Sequence, residues 1–147
     1  MEVPDVLAFL AGEWDLERAI DDTAAALSGS FRGRASYSPA RDGRPRLVYE
    51  EEGYLSFGQH RGPATRRLEY SARADGTALV WFADGRLFVE LDLRRGSWQA
   101  VHSCGADRYE VTTVVRSGQL LEEAWLVTGP SKGWSATTIL RRRAPAG

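Results

Sequence analysis

Four side chains that can move protons or hold charge fall where apolar residues are expected. His102 alternates with Trp98, Ala100 and Cys104, and Tyr109 opens the next alternating run. Glu51 alternates with Leu47, Tyr49 and Leu55, and Arg18 with Trp14, Leu16 and Ile20. An imidazole titrates near neutrality, so His102 is the candidate for general acid–base work, with Glu51 to orient it and Tyr109 as a further proton carrier. The competing reading makes His102 a core residue hydrogen-bonded to Tyr109 or to a backbone carbonyl. Arg18 and Glu51, if both point inward, must pair with each other or with a ligand, because an unpaired buried charge is costly. Cys104 lies two residues from His102. Side chains at i and i+2 on a strand run parallel and need not touch, so the thiol is expected to be a small buried core residue.

The aromatic signal is broader. The chain holds five Trp, five Tyr and five Phe. Trp14, Tyr49, Tyr70, Trp98, Tyr109 and Trp134 fall on the apolar parity of their runs, and Trp81 and Trp125 can be placed there too. Rings with polar tips suit a pocket for a flat or hydrophobic molecule. Trp14, Arg18, Tyr49, Tyr70, Trp81, Trp125 and Trp134 are therefore the expected ligand-binding set; the alternative is that the rings simply fill the interior. With two histidines, one of them His60 among Gly and Pro residues, and a single cysteine, no metal site is expected.

These residues sit on segments with a two-residue rhythm. A short apolar stretch, Val6 to Leu10, lies between Pro4, suited to a first helical position, and Gly12, suited to a stop. After Gly12 about ten alternating runs follow, separated by Asp42-Gly43, Asp75-Gly76, Asp84-Gly85, Arg95-Gly96, Ser117-Gly118 and Gly129-Pro130. Leu87, Val89, Leu91 and Leu93 read as one inward face, whereas Leu79 to Ala83 is apolar on both parities and has no assignable face. No helical period recurs, so the crossovers that parallel pairing requires are missing. The expected fold is all-β, an antiparallel up-and-down barrel with a short N-terminal helix over one mouth. A two-sheet sandwich competes, but hairpin follows hairpin without a long return connection. At about ten strands, side chains alone are not expected to fill the lumen, which favours a ligand-sized cavity.

The 147 residues amount to a single domain, and 43% hydrophobic with 27% charged residues excludes a disordered or fibrous chain. Nineteen basic and twenty acidic residues give a net charge of -1, which offers no field for nucleic acid or anionic lipid. Arg141-Arg142-Arg143 is accordingly read as a solvated strand end. One cysteine excludes an internal disulfide, and no apolar run is long enough for a membrane helix, so a cytoplasmic location is expected.

Phe9-Leu10-Ala11-Gly12-Glu13-Trp14, a helix end running into a strand with Gly-x-Trp, resembles the start of calycin-type barrels, the lipocalin and fatty-acid-binding group. More closely, the chain resembles a small, mostly bacterial family of calycin-like proteins known as a domain of unknown function. The resemblance runs through Phe9 to Asp21, Tyr49 to Gly53, Asp84 to Phe88, Leu91 to Leu93, His102 to Tyr109 and Trp125 to Pro130. It implies the barrel fold and brings no settled activity. The chain departs from the family at Val89, where a histidine is usual, and at Lys132-Gly133-Trp134, where Lys-Asp-Tyr is usual. Any family activity that depends on that histidine is implied to be lost or changed.

Three functions follow as expectations. The first is binding of a small hydrophobic or aromatic molecule in the lumen, without a cofactor. The second is a cofactor-independent cyclase, isomerase or dehydratase of secondary metabolism, using His102, Glu51 and Tyr109 in the same cavity. The third is a haem or tetrapyrrole carrier that uses His102. A homodimer is compatible with all three.

Overall fold

A computed structural model describes residues 1–144. A five-residue helix, α1 (Val6–Leu10), precedes ten strands: β1 (Gly12–Asp22), β2 (Leu27–Pro39), β3 (Arg46–Phe57), β4 (His60–Ala72), β5 (Ala78–Phe82), β6 (Leu87–Leu91), β7 (Ser97–Cys104), β8 (Asp107–Ser117), β9 (Leu120–Thr128) and β10 (Gly133–Arg142). All pairings are antiparallel, in the order β6-β5-β4-β3-β2-β1-β10-β9-β8-β7, and the first strand pairs with the last. The sheet curls into a nearly closed up-and-down barrel, as the rhythm of the sequence predicts. Its seam lies between β6 and β7, which share no ladder; the Trp98 indole crosses it and donates to the Glu90 carbonyl at 2.9 Å.

The helix begins later than its proline suggests. Asp5 is the N-cap, its carboxylate accepting from the Ala8 amide, and Pro4 lies before it. Capping satisfies a first-turn donor that a proline one position earlier cannot address. Gly12, at a φ of +128°, turns the chain from the helix into β1. Five residues cannot hold a helix alone, so packing holds α1: Val6 and Leu10 are buried and the Val6 amide donates to the Gly76 carbonyl.

This end of the barrel is sealed. Trp14 is wholly buried, and its indole donates to the Leu10 carbonyl at 2.9 Å. Arg142 lies 4.2 Å from its ring centroid and donates to the carbonyls of Phe9, Ala11 and Gly118. The expectation of a solvated basic end therefore fails at Arg142. Its guanidinium has several donors in one plane, which lets it tie the helix end to the β8–β9 turn while covering an indole. Arg141 and Arg143 flank it without joining these bonds.

Inward alternation holds on β1, β3, β4, β8 and β10, where Trp14, Leu16, Tyr49, Leu68, Tyr70, Val111, Val115 and Leu140 are buried. Gly33 and Gly53 face each other across β2 and β3 so closely that a Cβ on Gly33 would run into the Glu52 carbonyl. On β6 the expected face is wrong at one end. The register slips between Val80 and Trp81, so that Trp81 pairs with Leu87; Leu87 is exposed and Phe88 is buried instead. One extra residue in a strand exchanges its faces.

Candidate functional site

Two polar layers lie inside the barrel. In the deeper one, the Arg18 guanidinium from β1 meets the Glu51 carboxylate from β3 through two parallel bonds of 2.9 Å. Arg18 Nε donates to Thr138 Oγ1 on β10 at 2.8 Å, and the Tyr49 hydroxyl donates to Glu51 Oε2 at 2.5 Å. Both charged side chains are inside, with 12% of Arg18 and 3% of Glu51 exposed. Burial alone would neutralise each of them. It is outweighed for Glu51 by the Arg18 hydrogen bonds and the Arg66 charge, which hold the carboxyl below its ordinary range, and for Arg18 by Glu51, which keeps the guanidinium firmly protonated. Of the two partners open to an inward Arg18 and Glu51, each other or a ligand, this geometry joins them to each other.

Below them Tyr37, Tyr49 and Tyr70 pack ring to ring, with centroids 4.8 to 6.1 Å apart. Burial pushes all three phenols well above their ordinary pKa, so they remain neutral donors.

Toward the open mouth, Arg66 leaves β4 and reaches Trp125 on β9, strands that are not neighbours in the sheet, so it crosses the lumen. Its guanidinium carbon lies 4.7 Å from the Trp125 ring centroid. The Trp125 indole donates to Glu123 Oε1 at 2.6 Å. Trp134 stacks on Trp125 at 6.2 Å with 21° between planes, and Phe88 packs at 4.9 Å. His102 stands edge-on to Phe88 and Phe82, with centroids at 5.4 and 6.0 Å. Tyr109 faces His102 across the β7–β8 pair at 5.9 Å.

The structure thus brings some of the expected site residues together and separates others. His102 and Tyr109 are neighbours at the mouth. Glu51 belongs to the deeper layer, its oxygens directed at Arg18, Tyr49 and Arg66, so it does not orient His102. Trp125 and Trp134 face the lumen. Trp14, expected to touch a ligand, lies under α1 with no free surface. Trp81, also in that set, turns outward and donates to Ser71 on the outer face, because the inward parity of β5 belongs to Ala78, Val80 and Phe82. Tyr49 and Tyr70 are buried in the tyrosine cluster. Cys104 is exposed rather than buried, because β7 ends there and the chain turns at the rim.

Arg66 and Glu123 were not singled out from the sequence, although extending the alternation from Leu68 and from Trp125 puts both inside. Among the described residues, the enclosed space beside the mouth rings is far smaller than the ligand-sized cavity expected. The space enclosed beside Tyr70, Phe88, Thr113, Glu123 and Trp125 is about 20 Å³, room for one water. A larger groove of about 590 Å³ lies outside the barrel, among outward residues such as Arg34, Glu50, Glu52 and Arg67, whose cross-strand charges are solvated. Among the described residues, no three His, Cys, Asp or Glu side chains converge as metal ligands would. Among the described residues, no helix is long and apolar enough to cross a membrane.

The S-type phycobiliprotein lyase CPES from Guillardia theta superposes with a TM-score of 0.66 over 98% of this chain and 94% of its own, at 10% identity. A protein of unknown function from the DUF3598 family of Nostoc punctiforme superposes with a TM-score of 0.65 at 13% identity; 97% of this chain matches 51% of that one. At such identities the likeness shows the fold alone, a nearly closed up-and-down β-barrel. No curated protein matches the sequence. Over residues 10–142 the chain matches the family of unknown function DUF6314, and it belongs to that family.

Proposed function

We propose that this barrel binds a small hydrophobic or aromatic molecule at its open mouth. The asymmetry of the two ends carries this reading. One end is closed by α1, Trp14 and Arg142, whereas at the other the half-buried side chains of Ile20, Leu55, Phe82, His102, Tyr109 and Trp134 surround a polar floor. A barrel with no ligand to meet has no need to bury Arg18, Glu51 and Arg66 behind such a rim, since apolar packing serves stability at least as well. Because the enclosed volume is so small, a ligand is received among the mouth rings, with Trp134 and Tyr109 turning to pack against it.

The reading is tested by native mass spectrometry of the full chain with and without 2-naphthamide, an uncharged flat probe. A one-to-one adduct that is lost in a Trp134→Ala, Tyr109→Ala double variant is expected. An adduct indifferent to those changes removes the mouth as the site.

A second reading is that the mouth performs proton transfer on the bound molecule. It is supported by the His102–Tyr109 juxtaposition at 5.9 Å, which puts an imidazole and a phenol on one face of the site. In that reading Glu51 acts only through the charge of the floor. Turnover of a candidate substrate that survives both His102→Ala and Tyr109→Phe would dismiss it.

A further inference from the structure

We infer that the ligand carries an acidic group and that Arg66 receives it; this rests on the open-mouth binding reading and adds the chemical class of the ligand. The two guanidiniums inside the barrel are unequally satisfied. Arg18 spends Nε on Thr138 and both terminal nitrogens on Glu51. Arg66 approaches the same carboxylate, with Nε 3.3 Å from Oε1, but at an angle that makes no hydrogen bond, and its buried Nε has no partner. Glu51 already accepts from Arg18 twice and from Tyr49 once, so it has little left to offer a second fork.

The charges point the same way. Glu51 stands against two arginines, and among the described residues it is the only acid within 4 Å of the Arg66 nitrogens. Glu123, the other inward carboxylate in this region, accepts from the Trp125 indole instead. One face of the Arg66 guanidinium rests on Trp125, which fixes its plane, and one third of the side chain is still exposed. A fixed, partly desolvated guanidinium with unused N–H groups matches the two oxygens of a carboxylate. The surrounding rim of rings matches an apolar body. Together they define an aromatic or hydrophobic acid, its carboxylate directed inward to Arg66 and its rings among Trp134, Tyr109 and His102.

The test compares 2-naphthoate with 2-naphthamide, which share one shape and differ in charge, by calorimetric titration of the full chain and of its Arg66→Gln and Arg66→Lys variants. The acid is expected to bind the wild-type chain at least about tenfold more tightly than the amide, the scale of one hydrogen bond to a charged group. In Arg66→Gln that ratio should fall to about one, and Arg66→Lys, which keeps the charge without the fork, should restore part of it. Equal wild-type affinities, or a preference for the acid that persists in Arg66→Gln, would overturn the role of Arg66 and leave the binding reading standing. Failure of both probes to bind would overturn the binding reading and this inference with it. The wild-type comparison decides the ligand class even if a variant fails to fold.

Discussion

Arg18 and Glu51, on strands separated by β2, close a bidentate ion pair inside the barrel with both N–O distances at 2.9 Å. Removing one member leaves the other charge buried without its partner, which costs about 3–5 kcal/mol, whereas replacing both with apolar groups is often neutral or stabilising. Arg18→Met and Glu51→Leu should each lower stability by about that amount in urea unfolding, and the double variant should recover most of the loss. Additive losses would mean that the two side chains do not act as a pair.

The same pair contributes to stability on the acid side. The Glu51 carboxyl has a lower pKa in the folded chain than in the unfolded one, so the unfolded state takes up its proton first as pH falls. Its contribution is fully present above the ordinary glutamate value of about 4.3 and disappears as pH drops toward the lowered folded value. Urea midpoints measured between pH 6 and pH 3 should fall more steeply for the wild-type chain than for Glu51→Gln.

At the alkaline side Tyr37, Tyr49 and Tyr70 act together. Their folded pKa values are raised by burial, so above the ordinary phenol value of about 10 the unfolded chain loses protons that the folded chain keeps. Stability is complete below that pH and then declines, by up to about 1.4 kcal/mol per pH unit for each tyrosine. Tyr37→Phe should flatten the decline by about one third in unfolding curves taken from pH 9 to pH 11.5.

Arg142 holds the sealed end through three carbonyls and the face of Trp14. Arg142→Met should cost about 2–3 kcal/mol, and Arg142→Lys should recover little, since an ammonium cannot span the three acceptors in one plane. Hydrogen exchange checks the cause: the amides of Phe9 and Ala11, which bond within α1, should lose protection before those of β3.

Much of the fold was legible because alternation fixes which face a residue takes. Trp14, Leu16, Arg18 and Glu51 could be placed inside from parity alone, and the closely spaced hairpin turns implied a meander that closes on itself. Phe88 was not legible, because a one-residue slip at Val80/Trp81 leaves no trace in composition. Trp81 sits in a run that is apolar on both parities, so only the pairing of β5 shows that it faces outward. Alternation says which residues are inside and not which ones meet across the lumen, so it leaves Glu51 free to pair with Arg18 or with His102, and only the packing selects Arg18. Arg66 and Glu123 lie on inward parities, yet charged residues between apolar ones are ordinarily read as solvent-facing. The small enclosed space beside Trp125 follows from ring packing near the mouth, which depends on rotamers and not on strand number.

The five indole N–H groups report separately on the sealed end (Trp14), the outer face (Trp81), the seam (Trp98) and the mouth (Trp125 and Trp134). Nitrogen–proton NMR of the full chain titrated with 2-naphthoate therefore locates a bound molecule directly. Shifts confined to Trp125 and Trp134, with smaller ones at Trp98, are the outcome this account predicts. Movement of Trp81 or Trp14 while the mouth pair stays fixed, or five unmoved signals at millimolar probe, would contradict it.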